Sequence, residues 1–257
     1  MIGDFLQNTG ELLPTHSRVD SDRFGIDVAR LNIPIDSPAS DIQIAQICDE
    51  SSADLLILRY PSTRNRLAQS LAELSKTQAF QADTLVYFSK DLDPKTENSK
   101  TNNKLKFSIA NADDRFSIEA LSQTIFQNYP NHYRSNDRIE SQAIVDGYVE
   151  WALSGLTDSA KLTVMIETPD SKKIGFALVS FDGNGAEIEL NGIHPEFQSQ
   201  GAYSALLQML MGYLANQKVE KLSISTQIQN TRVIRVWIKS GFNLDFSLNT
   251  FHIMPRH

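Results

Sequence analysis

Cysteine is almost missing from this chain. Cys48 is the only one in 257 residues, so no internal disulfide can hold the fold, and a reducing, cytoplasmic setting is expected. Its ordinary role is that of a small buried hydrophobe. An excess of positive charge is also missing. With 24 Lys and Arg against 31 Asp and Glu the formal net charge is −7, which argues against a nucleic-acid partner and leaves any anionic ligand to be gripped locally. Long apolar runs are absent too. The longest, such as Ile174 to Phe181, have the length of a strand and are too short to span a bilayer, so no membrane partner is expected. The first residues, MIGDFLQNTGELLP, lack the basic and apolar regions of a signal peptide.

What is present reads as alternating strands and helices. A strand over 23–33, a helix over 41–48, a strand at 55–58, a helix over 65–76 and a strand at 85–88 give β-α-β-α-β, the order of parallel crossovers in a small layered unit. Residues 90–105 lack apolar periodicity and are rich in charge, which makes them the best linker in the chain. Two domains are therefore expected, 1–103 and 104–257.

In the second, Phe107 to Ala110 reads as a short strand, and Ile118, Leu121 and Ile125 mark a helix. The aromatic and polar segment from Tyr129 to Asp137 interrupts the pattern before another helix through Tyr148 and Trp151. It reads either as a substrate-facing loop or as an ordinary helix connection. Strands at 162–167, 174–181 and 186–193 follow, joined by Pro169-Asp170-Ser171 and Asp182-Gly183-Asn184-Gly185, so they should be antiparallel. The strand ending at Ile193 feeds through Gln198-Ser199-Gln200-Gly201-Ala202-Tyr203 into a helix on which Tyr203, Leu206, Leu207, Leu210 and Leu214 recur at helical spacing. The first turn of such a helix can hold phosphate through its unpaired N–H groups. A strand at 222–226, a helix after Asn230 with Val233, Ile234, Trp237 and Ile238 on one face, and two closing strands at 242–246 and 249–254 complete the order.

The sequence β-α-α-β-β-β-α-β-α-β-β over 105–254 resembles the fold of the GNAT N-acetyltransferases. The residues that carry the likeness are Pro195-Glu196-Phe197, the Gln198-x-x-Gly201 loop, Asn230, and Trp237-Ile238-Lys239-Ser240-Gly241-Phe242. Three stretches, SDRFGIDVARL, FQNYPNHYRSNDRI and STQIQNTRVIRVWIKSGFNLD, further resemble the two-domain sugar-nucleotide N-acyltransferases. The fold class implied is α/β (α+β): a GNAT domain with a mixed, largely antiparallel sheet, behind a smaller βαβαβ domain.

The resemblance implies an acyl-CoA co-substrate, acetyl-CoA or 3-hydroxybutanoyl-CoA, no metal, and a dTDP-linked deoxyamino sugar as acceptor, in surface polysaccharide synthesis. It is compatible with a homodimer. It places CoA on Ile193, Gln198, Ser199, Gln200, Gly201, Ala202, Tyr203, Asn230 and Val233. Tyr203 departs from the family pattern, which has Gly or Ala at its position. Asn230 reads equally as a helix N-cap. The pantetheine arm would pair with the strand end at Asn191 to Ile193, where Gly192 could mark a bulge.

Glu187 stands where several relatives carry a glutamate base. It shares a strand face with Glu189, and the two carboxylates could raise one another's pKa. The bland reading is a solvated acidic face. His194 and His132 are alternative bases. Trp237 replaces the tyrosine that many relatives use as an acid. Its indole donates hydrogen bonds but is no proton source, so it acts at the site or simply packs. Tyr129, His132, Tyr133 and Arg134 would bind the acceptor. The alternatives are another amine or protein acceptor, and a non-catalytic acyl-CoA-binding protein.

Overall fold

A computed structural model of the chain describes residues 12–97 and 105–256. In chain order they form β1 (Thr15–His16), α1 (Arg18–Phe24), β2 (Val28–Asn32), α2 (Asp41–Asp49), β3 (Leu55–Pro61), α3 (Leu67–Ala72), β4 (Thr77–Asp91) and α4 (Pro94–Glu97). There follow β5 (Lys106–Ile109), α5 (Arg115–Phe126), α6 (Ser141–Ser154), β6 (Lys161–Glu167), β7 (Lys173–Asp182) and β8 (Gly185–Ile193). The last elements are α7 (Ala202–Asn216), β9 (Lys221–Gln227), α8 (Thr231–Lys239) and β10 (Asn243–Pro255). Among the described residues no helix is long and apolar enough to cross a membrane.

The chain divides into two compact units, each discontinuous in sequence. One is Met1–Val86, Pro130–Ala143 and Phe246–His257; the other is Tyr87–Tyr129 and Ile144–Asp245. The expected boundary at residue 103 lies outside the described residues.

In the first unit the strand order is β1-β2-β3-β10-β4. β2 and β3 are parallel, with Val28 opposite Leu55, as the intervening helix requires. That helix, α2, starts at a capping box in which Ser40 and Gln43 satisfy each other's backbone N–H. Leu31, Ile44, Cys48, Leu58, Leu67, Leu71, Phe251 and Ile253 fill the core on one sheet face. Three expectations change here. Residues 18–24 are helical, stopped by Gly25 at φ 67°, so the strand expected from residue 23 begins only at Val28. β3 and β4 are not neighbours, because β10 lies between them and pairs antiparallel with β3. β10 is also one continuous strand where two were expected. Ser247 accepts a backbone bond from Ser62, and pairing with β3 runs unbroken from Leu248 to Ile253.

The second unit carries the order β4-β9-β8-β7-β6-β5. β5 to β8 are antiparallel neighbours, and Gly183 supplies the positive φ, 55°, of the turn from β7 to β8. Ile118, Leu121, Phe126, Met165, Phe176, Leu178 and Leu190 form the core under α5. β8 and β9, joined through α7, are parallel. A mixed, mostly antiparallel sheet with helices packed on it is the expected class. On α8, Trp237 is buried as expected, while Ile238 is exposed and leaves the apolar face narrower than the spacing implied.

Candidate active site

Alternation along β8 buries Ala186, Ile188 and Leu190 and leaves Glu187 and Glu189 half-buried on the opposite side. Against β7, Leu190 pairs with Leu178 but Ile188 pairs with Val179. Glu189 is therefore the extra residue of a β-bulge. On its other edge β8 pairs with β9 only from Gly185 to Ile188, opposite Lys221 to Ile224, although the two strands continue to Ile193 and Gln227. Past the bulge the strands part.

The freed edge has defined donors. His194 N–H bonds the Ile174 carbonyl, and Ile193 stands opposite Gly175. In antiparallel alternation Ile193 and Asn191 then turn their backbone groups away from β7, toward the side where β9 no longer pairs. The bulge was expected at Gly192, which instead keeps register with Phe176. Glycine is needed there for another reason: a Cβ would lie 2.5 Å from Ile125 Cγ2.

The loop after β8 turns through Pro195–Phe197 and reaches α7 with Ser199 at φ 65° and Gly201 at φ 81°. No atom stands within 4 Å of a Cβ built on Gly201, so its backbone angle, not crowding within the protein, calls for glycine. Ala205 N–H makes the first helical bond, to the Gly201 carbonyl. The N–H groups of Ala202, Tyr203 and Ser204 precede it and are free for an anion. Gln198 Nε2 donates to the Ile193 carbonyl at 3.0 Å and Gln200 Nε2 to the Glu196 carbonyl at 2.9 Å, so both glutamines brace the loop. Arg232, on the first turn of α8, donates to the Ser199 hydroxyl and brings a cation to the loop. Sequence reasoning missed it; its place two residues after Asn230 was the available signal.

Tyr203 fits where a small residue was expected because its hydroxyl has a partner. Trp237 Nε1 donates to it at 2.8 Å, and the Trp237 ring meets Phe88 edge-on at 5.5 Å. Burial pushes the Tyr203 hydroxyl pKa up, so it stays protonated. Asn230 occupies the N-cap position of α8 without capping it. Its Nδ2 donates to Thr226 Oγ1 at 3.0 Å. Tyr129 reaches the same end of β9, its hydroxyl 3.1 Å from Thr226 Oγ1 and bonded to Gln227. Val233 is half-buried on α8.

The two glutamates differ. Lys161 Nζ lies 2.8 Å and Trp151 Nε1 2.9 Å from Glu189 Oε2, and the Glu189 side chain is 4% exposed. Burial raises its pKa, but hydrogen bonds from Lys161, Trp151 and Ser180 outweigh burial and hold it below the usual value. The mutual elevation expected of the pair does not occur at Glu189. His194 accepts weakly from Glu196 N–H at 3.4 Å.

The residues expected to meet the acceptor fall into separate units. Tyr129 belongs to the second, with Thr226 and Gln227, whereas His132, Tyr133 and Arg134 belong to the first. There His132 and Tyr133 are tied to Asp20, Arg30 and His252.

Residues 123–242 match the family model described as "Acetyltransferase (GNAT) family". These residues form a GNAT acetyltransferase domain. The parted strands β8 and β9 and the Gly201 loop lie within the matched stretch. No curated protein matches the chain in sequence. Among solved structures, a functionally unknown conserved protein from Staphylococcus epidermidis ATCC 12228 superposes with TM-score 0.64 at 10% identity, over 98% of this chain and 95% of that one. A GCN5-related N-acetyltransferase from Sphaerobacter thermophilus gives TM-score 0.59 at 12% identity, over 79% of this chain and 60% of that one. Another from Kribbella flavida gives TM-score 0.57 at 11% identity, over 90% and 82%. At these identities the likenesses speak for the fold of the chain around the GNAT domain and not for its acceptor.

Proposed function

We propose that the protein is an acyl-CoA-dependent N-acyltransferase that acylates the amino group of a nucleotide-linked deoxyamino sugar, in surface polysaccharide synthesis, with acetyl or 3-hydroxybutanoyl as the acyl group. The observation that carries the transferase reading is the unpaired edge at Asn191 and Ile193 beside the N–H groups at the start of α7. An extended pantetheine arm can pair with that edge while the CoA diphosphate meets the N–H groups of Ala202, Tyr203 and Ser204 with Arg232 beside them. Ile193 N–H then donates to the thioester oxygen as charge develops on it.

The amine attacks the thioester carbon, the C–N bond forms and the C–S bond breaks. Glu187 takes the amine proton, directly or through water. Glu189, ionised and locked by Lys161 and Trp151, holds the bulge and is a positioning residue. Trp237 acts through Tyr203. The Tyr203 hydroxyl accepts from the indole, and its own proton has no acceptor among the described residues. That proton is therefore available to the departing sulfur. Tyr129 and the 132–134 segment are assigned to the acceptor on the strength of the sequence resemblance.

A second reading, a polycationic amine as acceptor, is favoured by the net charge of −7. One thiol-release assay separates the two. Turnover of acyl-CoA with dTDP-amino sugars supports the sugar reading; turnover confined to polyamines or peptides overturns it.

A further inference from the structure

β8 ends on a peptide group that is held from both sides. The His194 N–H donates to the Ile174 carbonyl of β7 at 2.8 Å, and the Ile193 carbonyl of the same peptide accepts from Gln198 Nε2 at 3.0 Å. Inside a sheet that carbonyl would be met by the next strand. β9 pairs with β8 only as far as Ile224 opposite Ile188, so at Ile193 the neighbouring strand is gone. The part-buried side-chain amide of Gln198, reaching back from the Pro195–Phe197 turn, takes the place of that strand.

The preceding peptide is fixed as well. Gly175 stands opposite Ile193, and a Cβ on Gly175 would lie 2.4 Å from Ile193 Cδ1 and 2.6 Å from the Gly192 carbonyl oxygen. A residue without a side chain is what lets β7 approach so closely. The Gly192 carbonyl and the Ile193 N–H belong to one planar group. That group is backed by β7, while its N–H opens on the freed edge.

The two peptides meet at the Cα of Ile193. Once both planes are set, so are the two backbone angles of Ile193 and the direction of its N–H. A donor aimed at a developing oxyanion contributes most when it has no need to reorient. Without Gln198 the Ile193 carbonyl would turn to water, and its peptide would rotate with it. We infer that Gln198 is a positioning residue for acyl transfer: its amide is the missing strand partner of β8 and holds the Ile193 N–H in line with the thioester oxygen. The inference rests on the acyl-transfer reading above and gives Gln198 a part beyond bracing the loop.

The test is Gln198→Met, which keeps the length of the side chain and removes the donor. The full-length protein and the variant are compared by thiol release from acetyl-CoA with whichever amine the unaltered protein acylates, and by hydrogen exchange at the His194 N–H. The variant is expected to lower kcat by about tenfold or more, to change KM for acetyl-CoA by less than about threefold, and to speed exchange at His194. A rise in KM with kcat kept, the mark of a loop brace alone, would overturn the inference and leave the acyl-transfer reading standing. So would unchanged kcat and KM in the folded variant. Thiol release with no amine at all would overturn both.

Discussion

The indole N–H of Trp237 ends 2.8 Å from the hydroxyl oxygen of Tyr203. Trp237 stands where the sequence resemblance implies a tyrosine and Tyr203 where it implies a small residue, and the two are joined in the structure: a phenol enters from α7 and is held by an indole on α8. If the phenol proton goes to the leaving sulfur, the pair acts as a unit. Trp237→Phe and Tyr203→Phe should each lower kcat, on the order of tenfold to a hundredfold, with CoA affinity nearly kept. The double variant should be no worse than Tyr203→Phe. Additive losses in steady-state kinetics would show that Trp237 contributes only packing.

The buried histidine pair makes stability depend on pH. Burial, then the Arg59 and Arg30 charges, lower the pKa of His252 from 6.5 to about 4, and burial together with Arg59 and His252 lowers that of His132 well below its usual value. Between about pH 6.5 and 4 the unfolded chain binds protons that the native pair refuses, so stability falls as pH falls through that window and is flat above it from this source. Each pKa unit corresponds to about 1.4 kcal/mol. Urea midpoints measured from pH 8 down to about 5 should decline below 6.5, and His252→Gln should flatten the decline.

Gly192 tests the packing of α5 on β8. A Cβ there would lie 2.5 Å from Ile125 Cγ2 and 3.3 Å from its Cδ1. A β-branched side chain in a helix cannot rotate away cheaply, so Gly192→Ala should cost about 1–3 kcal/mol in urea unfolding. Ile125→Ala in the same chain should restore part of the loss. An unchanged midpoint for the single variant would contradict the close approach.

Local chemistry made much of the second unit legible. The Asp182 to Gly185 turn, the alternation on β8 and the helical leucines after Gly201 predicted a strand, turn and helix at nearly their observed limits. What failed was non-local. Ser247 and Asn249 favour turns, so a break was expected between the two halves of β10; nothing in the local pattern shows that the strand runs on and that Phe251 will stand opposite Leu58. The parting of β8 from β9 after Ile188 is a property of two strands, and neither one's sequence encodes it alone. The aromatic segment at 129–134 read by composition either as a ligand-facing loop or as an ordinary connection; what its sequence did not show is that His132 is buried against His252, 120 residues away in sequence.

The central claim is that the start of α7 and the freed β8 edge hold acyl-CoA. Calorimetric titration of acetyl-CoA into the full-length protein and into Gly201→Val tests it most directly. Valine at φ 81° must distort the loop that presents the N–H groups. Saturable binding to the unaltered protein, at one site per chain, and a loss of about tenfold or more in the variant, about 1.4 kcal/mol, is the expected result. No saturable binding to the unaltered protein, or equal affinity in a folded variant, would contradict it.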